Sequence, residues 1–414
     1  MGIYLISTII FLVVLLALTV ILLVLESRFA PRGRRQIGIN GNTAKALEVP
    51  AGATLLQALA LNKIYLPSGC GGGGTCGLCK CKVSQGGGEL LPTELPHLSR
   101  AEKLGGVRLA CQLKVREDLE VEIPAYIFDI KKYAATVVSN RSVATFIKEL
   151  KLRLDTGAWP GFKSGGYMQI DIPAYSLKFS AFDIPEPYYA LWEKAGLFKL
   201  ASRLKEPTFR AYSMANYPGE PEFMFTVRLE LPPRGTDYPP GAGSSYLFGL
   251  KSGDKVSLSG PFGEFFIKDT QREMCFIGGG AGMAPMRSHI FDLLENKRTT
   301  RKMTFWYGAR SRLEMFYDDE FRALAQAHPN FTYHAALSEP GPGDDWEGSV
   351  GFIHQVCYDL YLKEHADPHE IEYYLCGPPL MLQAALATLD GLGVEPGMIA
   401  YDDFGGDPGR PEIT

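Results

Sequence analysis

Four cysteines place the strongest constraint on the fold of this chain. If they serve one site, segments that are distant in the sequence must lie close together in the structure. Cys70, Cys76 and Cys79 follow one another as C-x5-C-x2-C, and Cys111 comes farther along the chain. Two irons that share sulfides need four thiolate ligands, and thiolate is the ligand that such iron prefers. Glycines at residues 69 and 71–74 allow the backbone to wrap closely around a cluster. The four cysteines therefore predict a [2Fe–2S] cluster and an electron carrier.

Two alternatives for the cysteines stay open. Cys81 lies two residues beyond Cys79, and alternate side chains of an extended segment share a face, so Cys81 could compete as a ligand or could be a buried structural thiol. A structural zinc site usually pairs two C-x2-C knuckles, whereas this region has one. The chain has eight cysteines, and their crowding among glycines indicates metal ligation in a reducing compartment rather than a disulfide framework.

Length and charge limit the function classes. A chain of 414 residues suggests about three domains. The formal net charge is −4, and the sequence has no basic stripe with interleaved aromatic residues. We therefore expect no nucleic-acid partner, since nucleic-acid-binding surfaces concentrate Lys and Arg.

An uncharged apolar segment occupies residues 3–25. A helix of this length can span a bilayer. The segment lacks the basic start and small-residue cleavage site of a signal peptide, so we interpret it as an anchor. No Lys or Arg precedes it, whereas Arg28, Arg32, Arg34 and Arg35 follow it. The positive-inside rule then predicts that the rest of the chain faces the cytoplasm.

The module that follows, residues 36–126, has the signals of short strands and short helices. Strands are expected at residues 45–49, 80–83 and 119–123. Thr54 is placed to cap a helix, and Ser99 with Glu102 forms a capping box for a second helix that Gly105 ends. The module resembles the β-grasp ferredoxins, although their plant-type members have C-x4-C-x2-C, one residue shorter in the first loop.

Residues 127–268 contain short apolar segments separated by Pro and Gly, which predicts an antiparallel barrel. Alternation in a strand places Arg210 and Tyr212 on one side, where a guanidinium can bind a pyrophosphate and a phenol ring can stack on a flat heterocycle. An ordinary strand is the alternative. Candidate ligand-binding residues here are Arg210, Tyr212, Ser213, Gly243, Ser244 and Ser245. The last three open a short helix whose N–H groups could hold phosphate, or they are a simple helix cap.

The third segment, residues 269–414, predicts alternating strands and helices. A strand at residues 274–277 runs into a glycine-rich turn, which would bring backbone close to a dinucleotide at a helix N-terminus. Further strands are expected at residues 303–307, 331–335 and 371–375, the last of the chain. Candidate nucleotide-binding residues in the glycine-rich turn are Gly279, Gly280, Ala281 and Gly282. This alternation is typical of a parallel sheet.

The order of these motifs closely resembles the ferredoxin–NADP reductase superfamily. Arg210 of the R-x-Y-S motif comes first, the Gly-Ser-Ser run at Gly243 second, and Gly-Pro-Phe-Gly at residues 260–263 third. The resemblance implies FAD on the barrel and NADH as the substrate of the parallel-sheet domain. It also implies that the turn Cys376-Gly377-Pro378 closes over the nicotinamide, with Cys376 near the carbon that gives up hydride.

Three further assignments follow the resemblance and keep their alternatives. Phe404 is placed as the aromatic residue that covers the flavin, or it only packs. Glu264 is a candidate carboxylate for flavin or hydride chemistry, or it is a solvated strand residue. Arg310 and Arg312 could hold a 2′-phosphate, so the residues do not separate NADH from NADPH.

The predicted fold is therefore multidomain: an N-terminal transmembrane helix, a β-grasp [2Fe–2S] ferredoxin domain, an antiparallel β-barrel FAD domain and an α/β parallel-sheet NADH domain. The expected bounds are residues 1–35 for the anchor and its basic flank, 36–126, 127–268 with an insert at 155–205, and 269–414. Hydride carries two electrons and the cluster takes one, so a flavin must stand between them.

Two families share this order of modules: the soluble reductases of multicomponent oxygenases, and the F subunits of the bacterial Na+-translocating NADH:quinone oxidoreductases. The apolar anchor and the insert make the whole chain resemble the second family. That resemblance implies an inner-membrane, single-pass protein that passes electrons from NADH through FAD and the cluster to membrane partner subunits. The alternatives are the reductase of an oxygenase and a membrane-tethered zinc-binding scaffold.

Overall fold

The computed structural model describes residues 2–29, 33–156, 159–233, 235–341 and 344–403. The chain divides into two compact units. The first is Met1–Leu66 with Gly77–Phe128, and the second is Pro67–Cys76 with Asp129–Thr414. The loop that carries Cys70 and Cys76 therefore belongs to the second unit, whereas Cys79 and Cys111 belong to the first. The predicted domain boundaries stay predictions.

The N-terminal helix α1 spans Gly2–Phe29. Its segment Tyr4–Leu22 has a mean hydropathy of 3.1, and by length and composition it is able to cross a membrane. Thr8 and Thr19 donate their hydroxyl hydrogens to the carbonyl oxygens of Tyr4 and Leu15, each at 2.8 Å within the helix. These hydroxyls are therefore satisfied without water, as an apolar environment requires. Arg32 lies outside the described residues.

The rest of the first unit is a mixed five-stranded sheet with two short helices. Its elements are β1 (Arg34–Ile39), β2 (Asn42–Pro50), α2 (Leu55–Leu61), β3 (Lys80–Gln85), α3 (Arg100–Leu104), β4 (Val107–Leu109) and β5 (Leu119–Glu122). The strand order is β2-β1-β5-β3-β4, with β1 parallel to β5 and the other neighbours antiparallel. Ser99 forms the predicted capping box with Glu102, and Thr54, predicted as a helix cap, also forms a capping box with Gln57. Helix α2 buries Leu55, Leu56 and Leu59, whereas Leu61 at its end is exposed.

The second unit begins its main fold with an antiparallel barrel. Its elements are β6 (Lys131–Ala144), β7 (Ile147–Leu154), β8 (Tyr167–Ile172), β9 (Tyr175–Lys178), α4 (Glu186–Lys194), β10 (Ala201–Leu204), β11 (Thr208–Ser213), β12 (Phe223–Arg228), α5 (Ala242–Gly249) and β13 (Lys255–Phe262). Six strands form one sheet in the order β11-β8-β13-β6-β7-β12. An isolated antiparallel bridge joins Met214 to Phe225, and Ala215 N–H donates to Met224 O at 2.7 Å. These bonds connect the two edge strands and close the barrel.

The predicted insert at residues 155–205 needs correction. Strand β8 lies inside that range and pairs with both β11 and β13, so it is part of the barrel. The segment outside the six-stranded sheet is therefore residues 173–205, which form the β9–β10 hairpin and α4. Its aromatic residues make a separate apolar cluster around the fully buried Trp192, whose indole N–H donates to Thr145 O at 2.8 Å.

The second unit ends in a six-stranded parallel sheet flanked by helices. Its elements are β14 (Met274–Gly279), α6 (Met283–Phe291), β15 (Met303–Ala309), α7 (Asp318–Ala327), β16 (Phe331–Leu337), β17 (Ser349–Val350), α8 (Ile353–Leu360), β18 (Glu372–Cys376), α9 (Pro379–Gly391) and β19 (Ile399–Asp402). The order is β17-β16-β15-β14-β18-β19, so the winding direction reverses between β14 and β18. Ligands of such sheets bind at the carboxyl ends of the strands at this switch point.

Strand β19 contradicts the expectation that the strand near residue 375 is the last of the chain. It pairs in parallel with β18 from Tyr373↔Ile399 to Cys376↔Asp402. A four-residue edge strand is too short to show a periodic pattern, so its neighbour in the sheet determines it.

Candidate functional site

The carboxyl ends of β14 and β18 meet at the switch point through backbone. A Cβ added to Gly282 would lie 2.2 Å from the carbonyl oxygen of Cys376 and 2.8 Å from the amide nitrogen of Gly377. A Cβ on Gly279 would lie 2.8 Å from Met381 Sδ. The glycine-rich turn and the Cys-Gly-Pro turn are therefore packed so closely that a side chain at Gly282 does not fit.

The same glycine-rich turn also has an open side and a link to the barrel. Gly280 has a φ of +53°, and an added Cβ there would meet nothing within 4 Å. Ala281 O accepts a hydrogen bond from Thr226 Oγ1 of β12 at 3.1 Å. Pro285 is buried in the first turn of α6. The hydrogen bond from Thr226 thus holds the turn on one side, and the space beside Gly280 is open on the other. This arrangement suits the approach of a nucleotide pyrophosphate.

Cys376 ends β18 and is fully buried. Burial raises the pKa of its thiol well above the ordinary value, and the negative charges of Asp402 and Asp403 raise it further. The side chain is therefore a neutral thiol at physiological pH, not a thiolate nucleophile. Pro378 caps α9, and Gly377 lies beneath Met381, whose Cε would be 2.4 Å from an added Cβ.

A hydrogen bond that the sequence did not reveal joins the barrel to this site. Ser213 Oγ, at the end of β11, donates to Asp402 Oδ2 at 3.0 Å. Asp402 ends β19 and lies in register beside Cys376. Burial raises the pKa of Asp402 to about 6, against the opposing effect of the Ser213 hydrogen bond. The sequence analysis named Phe404 near this position but not Asp402, and Phe404 itself lies outside the described residues.

Asp402→Asn should remove a pH-dependent loss of stability. The folded pKa of Asp402 lies above its ordinary value of 3.8, so this group favours folding at low pH and loses that contribution as pH rises to about 6. Asparagine still accepts the Ser213 hydrogen bond and carries no charge. We expect the variant to be more stable by about 1–2 kcal/mol at pH 8 and equal to the parent near pH 4. Thermal release of flavin fluorescence at both pH values measures this, and a pH-independent difference would contradict it.

The flavin-site candidates on β11 and α5 come together. A Cβ added to Gly243 would lie 2.7 Å from Arg210 Cγ and 3.3 Å from the Tyr212 hydroxyl oxygen. Arg210 donates through Nη1 to Phe209 O at 2.7 Å and to Thr208 Oγ1 at 3.1 Å. It forms no ion pair with an acidic residue in the described part of the chain. Because no acidic side chain of the described residues pairs with it, this half-buried guanidinium is available to bind an anion, as a pyrophosphate site requires.

The start of α5 separates the two alternatives for the Gly-Ser-Ser run. The N-cap residue is Gly241, and no side chain caps the helix. Ser244 Oγ instead donates to Gly241 O at 3.2 Å and accepts from Glu230 N–H at 3.0 Å. Gly243, Ser244 and Ser245 are all buried. The Ser244 hydroxyl therefore has an internal role, and the first N–H groups of the helix are the ones suited to phosphate.

The cysteine loop of the second unit, Pro67–Cys76, holds two sulfurs as a hydrogen-bonded thiol–thiolate pair. Cys76 Sγ donates to Cys70 Sγ at 3.4 Å and accepts from Gly69 N–H at 3.3 Å. The hydrogen bond from Cys76 lowers the pKa of the Cys70 thiol to about 3, although partial burial opposes this effect. Gly71, Gly72 and Gly74 have φ values of +67°, +92° and +81°, which side chains disfavour. Two sulfurs this close, in a loop with N–H donors, fit one iron of a cluster.

The same loop lies along strand β11. Ala211 N–H donates to Gly69 O at 3.4 Å, and Thr208 Oγ1 donates to Gly71 O, also at 3.4 Å. A Cβ on Gly71 would lie 2.2 Å from Phe209 O. The loop with two candidate cluster ligands thus contacts the strand with the candidate FAD ligands.

Cys79, Cys81 and Cys111 lie in the first unit. Cys79 and Cys111 are 1% and 5% exposed, and Ala110 N–H donates to Cys79 O at 2.9 Å. Cys81 lies on β3 opposite Arg108, and burial raises the pKa of its thiol to about 12. These surroundings favour Cys81 as a structural thiol. No three His, Cys, Asp or Glu side chains group around one point among the described residues, so the four-ligand set stays a prediction from the spacing.

The remaining candidates, Glu264, Arg310 and Arg312, are exposed side chains. Glu264 is exposed, and its carboxylate makes no hydrogen bond or ion pair with the described residues. Its role in flavin chemistry stays a prediction. Arg310 and Arg312 are exposed, and the Arg312 guanidinium lies 5.8 Å from the ring centre of Trp346.

Two solved structures share this fold over most of the chain. The chain is similar to the Amycolatopsis cytochrome P450 reductase GcoB, with a TM-score of 0.62 and 24% identity over 89% of this chain and 98% of that one. It is also similar to the ferredoxin reductase in carbazole 1,9a-dioxygenase, with a TM-score of 0.58 and 27% identity over 90% and 98% of the two chains. The fold prediction is confirmed.

Sequence families and relatives agree with this fold. Residues 37–116 match the 2Fe-2S iron-sulfur cluster binding domain, and residues 276–386 match the oxidoreductase NAD-binding domain. The F subunit of the Na(+)-translocating NADH-quinone reductase of Klebsiella pneumoniae is 50% identical over 97% of this chain and 99% of that protein. The corresponding protein of Neisseria meningitidis serogroup C is 52% identical over 96% and 98%. The chain belongs to the family of F subunits of the Na+-translocating NADH-quinone reductases.

Proposed function

We propose that this chain is the electron-input subunit of a Na+-translocating NADH:quinone reductase. It takes hydride from NADH and passes single electrons to membrane partner subunits that reduce quinone. The Ser213–Asp402 hydrogen bond at 3.0 Å carries the proposal. It joins the end of the candidate flavin strand to the strand beside Cys376, so a flavin ring and a nicotinamide ring bound there would share one edge of the fold.

Different residues of the chain would bind FAD and NADH. Arg210 and the first N–H groups of α5 would hold the FAD pyrophosphate, with Tyr212 packed beside them. Residues 279–282 and the Cys-Gly-Pro turn would hold NADH at the switch point. FAD supplies the chemistry that accepts an electron pair and releases electrons one at a time. The neutral Cys376 thiol would border the nicotinamide without competing for hydride.

Cys70, Cys76, Cys79 and Cys111 would hold the cluster that receives these electrons. The close sulfur pair in the loop Pro67–Cys76 and the contact of that loop with β11 support this route. Electrons would then cross from the flavin strand to the cluster loop without a separate carrier.

We further propose that α1 is a single-pass anchor in the bacterial inner membrane, with the redox units facing the cytoplasm. The apolar segment Tyr4–Leu22 and the arginines that follow it support this orientation. An ion pathway needs polar or ionisable side chains facing a protein interior, and this segment carries no charge. Na+ movement would therefore belong to the partner subunits.

Absorbance and low-temperature EPR of the purified full-length chain, before and after stoichiometric NADH, test this function. We expect bleaching of the flavin band together with a rhombic signal of reduced [2Fe–2S]. A colourless, EPR-silent protein that contains zinc after anaerobic purification would overturn the proposal in favour of a tethered scaffold. An oxygenase reductase is distinguished by transfer of electrons to a soluble oxygenase component with full activity after removal of α1.

A further inference from the structure

We propose that Gln112 raises the reduction potential of the cluster through a side-chain hydrogen bond to Cys111, and that Thr93 is the positioning residue for this bond. The inference rests on the proposed function, in which Cys111 is a cluster ligand. Gln112 Nε2 lies 3.5 Å from Cys111 Sγ, within the range for a hydrogen bond to sulfur. Thr93 Oγ1 donates to Gln112 Oε1 at 3.0 Å. All three residues belong to the first unit.

The Thr93 hydroxyl anchors one end of the Gln112 amide, and the other end faces the sulfur. A side-chain amide has a donor end and an acceptor end of nearly equal size. Because Thr93 donates to the oxygen, the NH2 group is turned toward Cys111. The opposite orientation would place the amide oxygen against a thiolate, and two acceptors without a shared hydrogen repel each other.

The buried ion pair of Glu94 and Arg108 fixes the position of Thr93, which directly precedes Glu94 in the sequence. Glu94 is fully buried and accepts hydrogen bonds from Arg108 Nη2 at 2.7 Å, Leu109 N–H at 2.8 Å and Leu91 N–H at 2.9 Å. Arg108 and Leu109 belong to β4, which leads directly to Cys111. The turn with Thr93 is therefore tied to the segment with Cys111, and the amide is held between two fixed points.

The hydrogen bond has a defined electronic consequence. Reduction adds negative charge to the cluster and its thiolate ligands, and a donor on a ligand sulfur stabilises that charge. Gln112 supplies this donor from a half-buried side chain. Removing it should lower the reduction potential without removing a ligand.

A redox titration of the full-length chain with bound FAD, followed by the EPR signal of the reduced cluster, tests the inference. For Gln112→Leu we expect the equilibrium constant for cluster reduction to fall about tenfold, or about 59 mV for a one-electron couple. Thr93→Val should shift the equilibrium in the same direction by a smaller factor, because the amide loses its anchor. Thr93→Ser keeps the hydroxyl and should match the parent.

Iron and sulfide content, measured first, separates this inference from the function on which it rests. A parent chain without a cluster overturns the proposed function. Full cluster content in all variants with the parent's reduction equilibrium in both Gln112→Leu and Thr93→Val overturns the role of Gln112 alone. If Gln112→Leu fails to assemble a cluster, the reduction equilibrium of Thr93→Val is the test, and a value equal to the parent's overturns the role of Gln112. Thr93→Val should still assemble the cluster, because Thr93 is exposed and its side chain hydrogen-bonds to Gln112.

Discussion

Gly282→Ala should reduce NADH oxidation about a hundredfold while the chain keeps its FAD and its cluster. The added methyl carbon would lie 2.2 Å from Cys376 O and 2.4 Å from Cys376 C, and backbone atoms cannot move aside as a flexible side chain can. The glycine-rich turn and the Cys-Gly-Pro turn must then separate, which moves both sides of the nicotinamide site. A displacement of about 1 Å at reacting groups costs on the order of a hundredfold in rate.

Steady-state oxidation of NADH with an artificial electron acceptor measures this effect. Gly391→Ala is the matched control, because a Cβ there meets nothing within 4 Å and Gly391 ends helix α9 away from the switch point. The control should keep the parent's rate. A Gly282→Ala rate within twofold of the parent would show that the two turns need not touch for hydride transfer.

Local signals in the sequence predicted local structure well. The capping boxes at Thr54 and Ser99 lie where Ser or Thr is followed three residues later by Gln or Glu, and such a pattern needs no tertiary contact. The strands at residues 274–277, 303–307 and 331–335 were also predicted, because each is a short segment made mostly of apolar, aromatic or β-branched residues. The parallel sheet follows from their alternation with helices.

Long-range pairings were the part that the sequence could not supply. Ser213 and Asp402 are far apart in the chain, and neither position carries a pattern that identifies the other as its partner. The same holds for Gly282 and Cys376, whose close approach depends on the strand order of the sheet. The range predicted as an insert contained β8 because an aromatic-rich composition does not distinguish a barrel strand from a hairpin outside the barrel.

Charge and burial weaken one carboxylate that the sequence suggested and point to another that it did not. Glu264 follows a glycine turn, which suggested a site, yet the structure leaves its side chain exposed and without a partner among the described residues. Asp402 carried no separate signal, yet it is the carboxylate that the fold places beside Cys376. Desolvation depends on tertiary packing, so a sequence motif alone does not identify the titratable group of a site.

Cys111→Ala and Cys81→Ala should have opposite outcomes, although both thiols are buried in the same unit, at 5% and 4% exposure. Loss of Cys111 removes one of the four proposed ligands, so we expect loss of the [2Fe–2S] EPR signal and of quinone reduction. Reduction of FAD by NADH should continue, because Arg210, Gly282 and Cys376 are unchanged.

Cys81→Ala should keep the cluster, since burial holds the Cys81 thiol protonated and a protonated thiol is a poor iron ligand. The expected cost is a modest loss of stability from one small buried side chain, about 1 kcal/mol. Iron content and EPR report whether each variant keeps the cluster, and the rate of flavin bleaching by NADH, measured on the same samples, reports whether FAD is still reduced. If Cys81→Ala loses the cluster and Cys111→Ala keeps it, the fourth ligand is Cys81. The hydrogen bond from Gln112 would then lie on a sulfur that electrons do not reach, so this pair of variants also determines whether Gln112 can influence the cluster.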